Sequence, residues 1–150
     1  MEDNGWIWAC DRSIASEMAG GRQILDELLA RLIAEGWSRR DRFAIHLAVE
    51  EALVNAIRHG NRLDPGKRVQ ISCRLSDELV KVEIVDEGPG FDACRIPDPT
   101  TDERLEMPGG RGLALMKAFM SQVEFSRCGR RVTLVKHRNR AECREPSAES

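Results

Sequence analysis

The chain has 150 residues, a length that suits one domain around one hydrophobic core. Its 41% hydrophobic and 32% charged residues are typical of a folded globular protein and not of a disordered one. A formal net charge of -2 gives no electrostatic reason to expect direct contact with nucleic acid or with an acidic membrane, and no apolar run reaches the length of a membrane span.

The first half of the chain predicts one strand and two helices. Residues 5–13, with an apolar stretch at 6–10, indicate a short strand at a sheet edge. The acidic start of the chain lacks the basic region of a signal peptide, which favours a cytoplasmic location. Apolar residues recur every three or four positions over residues 16–35, which predicts a helix. Ser38 is placed to cap a second, nearly all-apolar and therefore buried helix, with Asp41 at its third position, that continues to about residue 59.

The second half predicts a sheet interrupted by a long loop. Alternating patterns at residues 69–75 and 79–85 indicate an antiparallel hairpin. Residues 88–112 are rich in glycine and proline and have no periodicity, which is typical of a functional loop. A short helix over residues 113–120 and a closing hairpin follow. We expect one domain over residues 5–138 and a disordered polar tail over residues 139–150.

Two polar residues stand out on the second predicted helix. Glu51 and Asn55 are one helical turn apart, and alanines beside them leave room for a ligand. A buried carboxylate and a buried amide both need partners, because burying them without any costs several kcal/mol. Backbone groups, or the two side chains themselves, are the simpler partners for an isolated pair of this kind.

Two glycine clusters follow. Asp86, Gly88 and Gly90 come directly after a predicted strand, where glycines allow the backbone to approach a ligand and the carboxylate can accept a hydrogen bond from an amino group. A plain turn would have the same pattern. Gly110, Arg111, Gly112 and Leu113 stand at the start of the short helix, where free amide groups and a guanidinium suit a phosphate. A flexible hinge is the alternative for this second cluster.

These segments together resemble a known family. E-A-L-V-N, D-E-G-P-G-F-D, P-G-G-R-G-L-x-L-M and a last strand that contains Thr133 are similar to the ATP-binding domain shared by gyrase, Hsp90-type chaperones, histidine kinases and MutL. The segment HLAVEEALVNAIRHGN is similar to the N-box of small stand-alone serine kinases that act as anti-sigma factors. The resemblance implies an α/β two-layer sandwich, the Bergerat fold, in which helices cover one face of a mixed, mainly antiparallel sheet.

The resemblance also implies a role for each candidate residue. Asn55 would hold Mg²⁺ on the triphosphate of ATP, Glu51 would activate the attacking hydroxyl, and Asp86 would read the adenine amino group. Residues 91–109 would form a lid over ATP. The other implied contacts are Gly88 and Gly90 beside the base, Gly110, Arg111, Gly112 and Leu113 at the phosphates, and Thr133 beside adenine.

The function implied by the resemblance is that of an ATP-dependent serine/threonine kinase and anti-sigma factor. Its substrate would be a small anti-sigma-factor antagonist with an acceptor serine, and a sigma factor is a second possible partner. The strand at the sheet edge suggests a homodimer. Two alternatives stay open: a nucleotide-dependent binding module with little or no phosphotransfer, and a phosphate-binding or structural domain of unrelated function.

Overall fold

A computed structural model describes residues 5–88, 110–126 and 130–139 of the chain. These residues form five strands, three α-helices and one π-helical segment. The strands are β1 (Trp8–Ala15), β2 (Arg68–Leu75), β3 (Leu79–Val85), β4 (Gln122–Ser126) and β5 (Arg131–His137). The helices are α1 (Met18–Ala34), α2 (Arg39–Val54) and α3 (Gly110–Phe119), and the π-helical segment is Asn55–Gly60.

The strands form one sheet in the order β1-β2-β3-β5-β4. Every strand pair within the described residues is antiparallel, so the sheet is uniform there and not mixed. The predicted hairpin of β2 and β3 is confirmed, and so is the position of β1 at an edge. β1 runs two residues past the predicted segment, to Ala15, because its backbone pairs with the whole of β2.

One face of the sheet carries the core. Alternate residues of β2, β3 and β5 are buried, and their neighbours are partly or fully exposed. The buried strand residues pack with those of the helices in one cluster, which includes Leu28, Ile45 and Met116, each 0% exposed. The helices therefore cover a single face, and the predicted two-layer α/β sandwich is confirmed. No helix within the described ranges is both long and apolar enough to cross a membrane.

The start of α2 is fixed by its cap. The Asp41 backbone N–H donates to Ser38 Oγ over 3.1 Å, as the sequence predicted. Asp41 itself is 1% exposed, and its Oδ2 accepts the backbone N–H of Asn139 at 2.9 Å. Its Oδ1 lies 3.8 Å from Lys136 Nζ. This anchoring sets the position of α2 across the sheet, and with it the position of the polar residues near the end of the helix.

Candidate functional site

The helix that carries Glu51 and Asn55 changes its form at Asn55. α2 is α-helical as far as Val54, and Asn55–Gly60 is π-helical. The backbone N–H of Asn61 accordingly donates to the carbonyl of Ala56, five residues earlier, at 2.8 Å. π-helical turns are rare and occur often at functional sites. The sequence predicted the extent of this helix to about residue 59 but not its π-helical end.

The side-chain amide of Asn55 has a free acceptor. Its Oδ1 is buried and has no hydrogen-bond partner among the described residues. A buried acceptor left without a partner costs about 1–3 kcal/mol, so native proteins seldom keep one without a reason. Amide oxygens are ligands for hard cations such as Mg²⁺. The unpaired oxygen therefore fits a metal ion brought in by a ligand, as the sequence analysis predicted for this residue.

Two adjacent carboxylates lie one turn before Asn55, and the structure distinguishes them. Glu50 Oε1 lies 3.1 Å from His46 Nε2, and Glu50 Oε2 lies 3.6 Å from Arg22 Nη2. Glu51 is partly buried and stands four residues before Asn55. Glu50 thus has polar partners at the surface in His46 and Arg22, and Glu51 is the carboxylate that precedes Asn55 by four residues.

Asp86 follows β3 directly and is buried on the helix side of the sheet, where it is 8% exposed. Its Oδ1 accepts the Gly88 backbone N–H at 2.8 Å. Burial raises the pKa of Asp86 to about 6, although the Gly88 hydrogen bond and the nearby Arg130 charge lower it. A carboxylate kept in such a place at neutral pH is a strong hydrogen-bond acceptor for a ligand.

Two glycines make room for this carboxylate. A Cβ atom on Gly60 would lie 2.5 Å from Asp86 Oδ2, and a Cβ atom on Gly88 would lie 1.8 Å from the carbonyl oxygen of Gly60. The sequence analysis explained Gly88 by a close approach of the backbone to a ligand or by a plain turn. The structure gives another reason, which is the close approach of the π-helical segment to the turn after β3. The segment that carries Asn55 is thereby locked to the turn that carries Asp86.

Gly88→Ala is expected to lower the free energy of unfolding by about 1–3 kcal/mol or more, because the new methyl group meets backbone that cannot rotate away. Urea unfolding of the purified variant measures this. Gly66→Ala is the matched control, since its Cβ atom would meet only the Asp64 Oδ1 atom, at 3.3 Å. Equal stability of the two variants would contradict the packing described here.

Two residues that the sequence analysis did not select hold the same turn. Arg130 Nε donates to the Gly88 carbonyl at 2.8 Å, and the Asp86 N–H donates to the Arg130 carbonyl at 2.9 Å. Asn61 Oδ1 accepts the Glu87 N–H at 2.7 Å. These contacts join residues 26 to 44 positions apart, so no local pattern marks them.

Thr133 does not join this cluster. It pairs with Glu83 of β3 and Glu124 of β4. Its neighbours Val132 and Leu134 face the core, so the Thr133 side chain projects from the opposite face of the sheet. Asn55 and Asp86 lie on the helix side. The predicted contact of Thr133 with a base beside Asp86 therefore has no support from this arrangement.

The second glycine cluster lies at the start of α3. Gly110, Arg111, Gly112 and Leu113 form the first turn of this helix, which the sequence analysis expected to begin three residues later. The Phe43 and Phe119 rings make an edge-to-face contact with centroids 6.0 Å apart. Phe43, near the start of α2, therefore contacts the last residue of α3. Gly90 and the predicted lid at 91–109 lie outside the described residues, as does the predicted tail from residue 140 onward.

Comparison of the sequence with known protein families identifies the family of this chain. Residues 14–136 match the histidine kinase-like ATPase domain, which is more than half of the chain. The chain belongs to this family. The family match confirms the resemblance seen in the sequence, and it identifies the ligand class of the domain as ATP.

Relatives of this ATPase domain include a kinase and several anti-sigma factors. The serine/threonine-protein kinase BtrW of Bordetella bronchiseptica is 30% identical over 97 residues, which span 63% of this chain and 68% of BtrW. Anti-sigma F factors of Oceanobacillus iheyensis and Bacillus cytotoxicus are 37% and 42% identical over 83 residues. Each of these two matches spans 53% of this chain and 56% of the anti-sigma F factor.

A solved structure shares the fold of this ATPase domain. It contains the RsbU and RsbW domains of a Mycobacterium tuberculosis protein, with a TM-score of 0.57 and 18% identity. The similarity covers 88% of this chain and 32% of that chain. At this identity, the comparison supports the common architecture of the ATPase domain.

Proposed function

We propose that the chain is an ATP-dependent protein serine/threonine kinase that acts as an anti-sigma factor in a partner-switching module. Its substrate would be a small antagonist protein with an acceptor serine, and a sigma factor would be the alternative partner. The observation that carries the proposal is the buried Oδ1 of Asn55, which has no hydrogen-bond partner among the described residues. Asn55 lies one turn after Glu51, on the segment that packs against Asp86. The names of the relatives, a serine/threonine-protein kinase and anti-sigma F factors, support the kinase and anti-sigma parts of the proposal.

The metal would be held at Asn55. Its Oδ1 would contribute one oxygen to the coordination shell of Mg²⁺, with phosphate oxygens and water as the others. When bound, Mg²⁺ would offset the negative charge of the triphosphate. Within the described residues, no three His, Cys, Asp or Glu side chains are grouped to hold a metal by themselves. Metal and nucleotide are therefore expected to bind together.

The base would be read at Asp86. The carboxylate would accept a hydrogen bond from the amino group of adenine, while Gly88 and Gly90 would leave space beside the base. Because the π-helical segment and the turn are in contact at Gly60 and Gly88, the two ends of one nucleotide would meet a single rigid unit. This preorganisation favours binding, since little has to be ordered when ATP enters.

The phosphates would face the start of α3. Free backbone N–H groups in the first turn of a helix attract anions, and Gly110, Gly112 and Leu113 lie in that turn. Arg111 would add a positive charge toward the γ-phosphate. Residues 91–109 would close over the nucleotide as a lid. These groups would stabilise the charge that spreads over the phosphoryl oxygens during transfer.

Glu51 would orient the acceptor serine and take its proton. The serine oxygen forms a bond to the γ-phosphorus, the bond from that phosphorus to the bridging oxygen breaks, and ADP leaves with the electron pair. The hydroxyl proton moves to a Glu51 carboxylate oxygen. The partial exposure of Glu51 is compatible with a protein substrate approaching from outside.

Glu51→Gln is expected to lower the rate of phosphotransfer by about 10²-fold or more while ATP affinity stays close to wild type, because only the proton acceptor is lost. Transfer of label from γ-labelled ATP to the small proteins that co-purify from the native cell measures this. Glu50→Gln is the control and is expected to keep the wild-type rate.

The same assay tests the proposal as a whole. Labelled serine on a co-purified small protein supports the kinase. Tight nucleotide-dependent binding of a partner without transfer would favour a regulatory binding module. The proposal includes a homodimer that joins two copies at the β1 edge, where β1 has a strand neighbour on one side only within the described residues. Light scattering at several protein concentrations checks that part separately.

A further inference from the structure

Asn61 is a buried polar residue that the proposed reaction does not use. It follows the π-helical segment directly and is 1% exposed. Its Nδ2 donates to Ser16 Oγ at 2.9 Å and to the Arg68 carbonyl at 3.0 Å, and its Oδ1 accepts the Glu87 N–H at 2.7 Å. Both amide hydrogens and the amide oxygen are therefore engaged, with partners in three separate parts of the chain.

These partners connect the end of β1, the start of β2 and the turn after β3. Ser16 follows β1 and donates its hydroxyl hydrogen to the Lys67 carbonyl at 2.9 Å. Arg68 is the first residue of β2, and its N–H donates to Glu87 Oε1 at 3.1 Å. A fully satisfied buried network of this kind fixes one arrangement of the backbone. The turn is thus tied to the sheet through Asn61.

The hydrogen bond to the Glu87 N–H determines how the turn can sit. That N–H belongs to the peptide between Asp86 and Glu87. The hydrogen bond therefore fixes the plane of this peptide, next to the Asp86 side chain. Arg130 Nε holds the Gly88 carbonyl on the other side of the turn. Arg130 thus holds both ends of this three-residue turn, since the Asp86 N–H also donates to the Arg130 carbonyl. Asn61 holds the peptide that follows Asp86, next to the start of the Asp86 side chain.

We infer that Asn61 is a positioning residue for base recognition, which acts through Asp86 to set the preference for adenine over guanine. The inference rests on the proposed function, since it assumes that Asp86 meets the base. Adenine presents an amino group where guanine presents a carbonyl oxygen, so a fixed carboxylate accepts from the first and repels the second. A carboxylate free to turn away discriminates less between them.

The structure supplies a matched control for Asn61. Ser16→Ala removes one hydrogen bond of the same amide but leaves the bonds to Glu87 and Arg68 in place. Asn61→Ala removes all three. Both variants perturb the same buried network, and only Asn61→Ala removes the side-chain acceptor of the Glu87 N–H.

The experiment measures dissociation constants for Mg-ATP and Mg-GTP by calorimetry on the full chain. The preference for ATP is the affinity for Mg-ATP divided by the affinity for Mg-GTP. Asn61→Ala is expected to reduce this ratio about tenfold, because the carboxylate loses its fixed orientation. Ser16→Ala is expected to leave the ratio unchanged. In an Asp86→Asn background, Asn61→Ala is expected to have no further effect on the ratio, because the carboxylate it positions is absent.

Each outcome decides one question. An unchanged ratio in a folded Asn61→Ala variant, an equal fall in Ser16→Ala, or an additive fall in the Asp86→Asn background would overturn the inference. Asn61→Ser, which keeps a polar group in the core, serves if Asn61→Ala does not fold. Failure of both to fold would assign Asn61 to stability alone. A wild-type chain without preference for ATP would instead remove the proposed function, and the inference with it.

Discussion

Asn55→Ala is expected to weaken the binding of Mg-ATP by about 10²-fold or more, which corresponds to roughly 2.7 kcal/mol. The variant loses Asn55 Oδ1, which is the protein oxygen proposed to bind the metal ion. The same change is expected to leave the free energy of unfolding without nucleotide unchanged, or to raise it by about 1 kcal/mol. The reason is that Asn55 Oδ1 is buried without a partner in the described part of the protein, so its removal relieves a penalty.

The dependence on Mg²⁺ separates this explanation from a general disturbance of the site. Wild-type affinity for ATP is expected to fall when EDTA removes the metal, whereas the affinity of Asn55→Ala is expected to change little. Calorimetric titrations with and without Mg²⁺ measure both. His59→Ala, at an exposed position of the same π-helical segment, is the control and is expected to keep the wild-type affinity. Unchanged Mg-ATP affinity in Asn55→Ala would refute the assignment of the metal contact.

The parts of the fold that local chemistry determines were predictable from the sequence. The Ser38 cap needs only Ser38 and the N–H of Asp41, three residues later. The hairpin of β2 and β3 follows from alternation on both sides of a short turn. The proximity of Glu51 and Asn55 follows from helical geometry. In each case the deciding interaction spans a few residues.

The hydrogen bonds that hold the turn at Asp86 were not predictable, because they join residues far apart in the sequence. Asn61 is 26 positions from Glu87, and Arg130 is 42 positions from Gly88. The π-helical form of Asn55–Gly60 likewise accompanies contact with the turn after β3. Helical periodicity alone does not distinguish an α-helical end from a π-helical one.

Thr133 is a different case, because the sequence did contain the information. Apolar residues at 132, 134 and 135 leave the phase of β5 ambiguous at its end. Alternation from Val132 to Leu134 nevertheless assigns Thr133 to the face opposite the core. The resemblance to the family had more weight in the prediction than this pattern. In this region it is Arg130, directly before β5, that contacts the turn.

Asp86→Asn is expected to affect ATP binding and stability in opposite directions. Asparagine Oδ1 can still accept the Gly88 N–H, but its Nδ2 would present a donor to the adenine amino group, which is also a donor. Affinity for Mg-ATP is expected to fall by about 10²-fold, in keeping with the loss of a hydrogen bond to a charged group. Calorimetry at pH 7.5 measures this affinity. The control is Asp26→Asn, which changes an exposed carboxylate of α1.

The effect of Asp86→Asn on stability follows from the raised pKa. The carboxyl has a pKa of about 6 in the folded chain against 3.8 as the ordinary value, so the folded state holds the proton more tightly. The stabilisation that the folded state gains by holding this proton is complete below about pH 4 and is lost as the pH rises through 6. The neutral asparagine avoids this loss. Two pKa units correspond to about 3 kcal/mol at most, and the gain of Asp86→Asn over wild type is expected to approach 1–3 kcal/mol at pH 8.

Urea unfolding of wild type and Asp86→Asn at pH 4 and at pH 8 measures this difference directly. Subtracting the two proteins at each pH removes the contributions of all other titrating groups, which are common to both. The stability gain is expected at pH 8 and is expected to be nearly absent at pH 4, and Asp26→Asn is expected to show no such change. A variant that is less stable than wild type at pH 8 would mean that the buried Asp86 carboxylate serves the packing of the turn. A gain in stability together with a loss of ATP affinity is the pattern of a charge that the fold retains for its ligand.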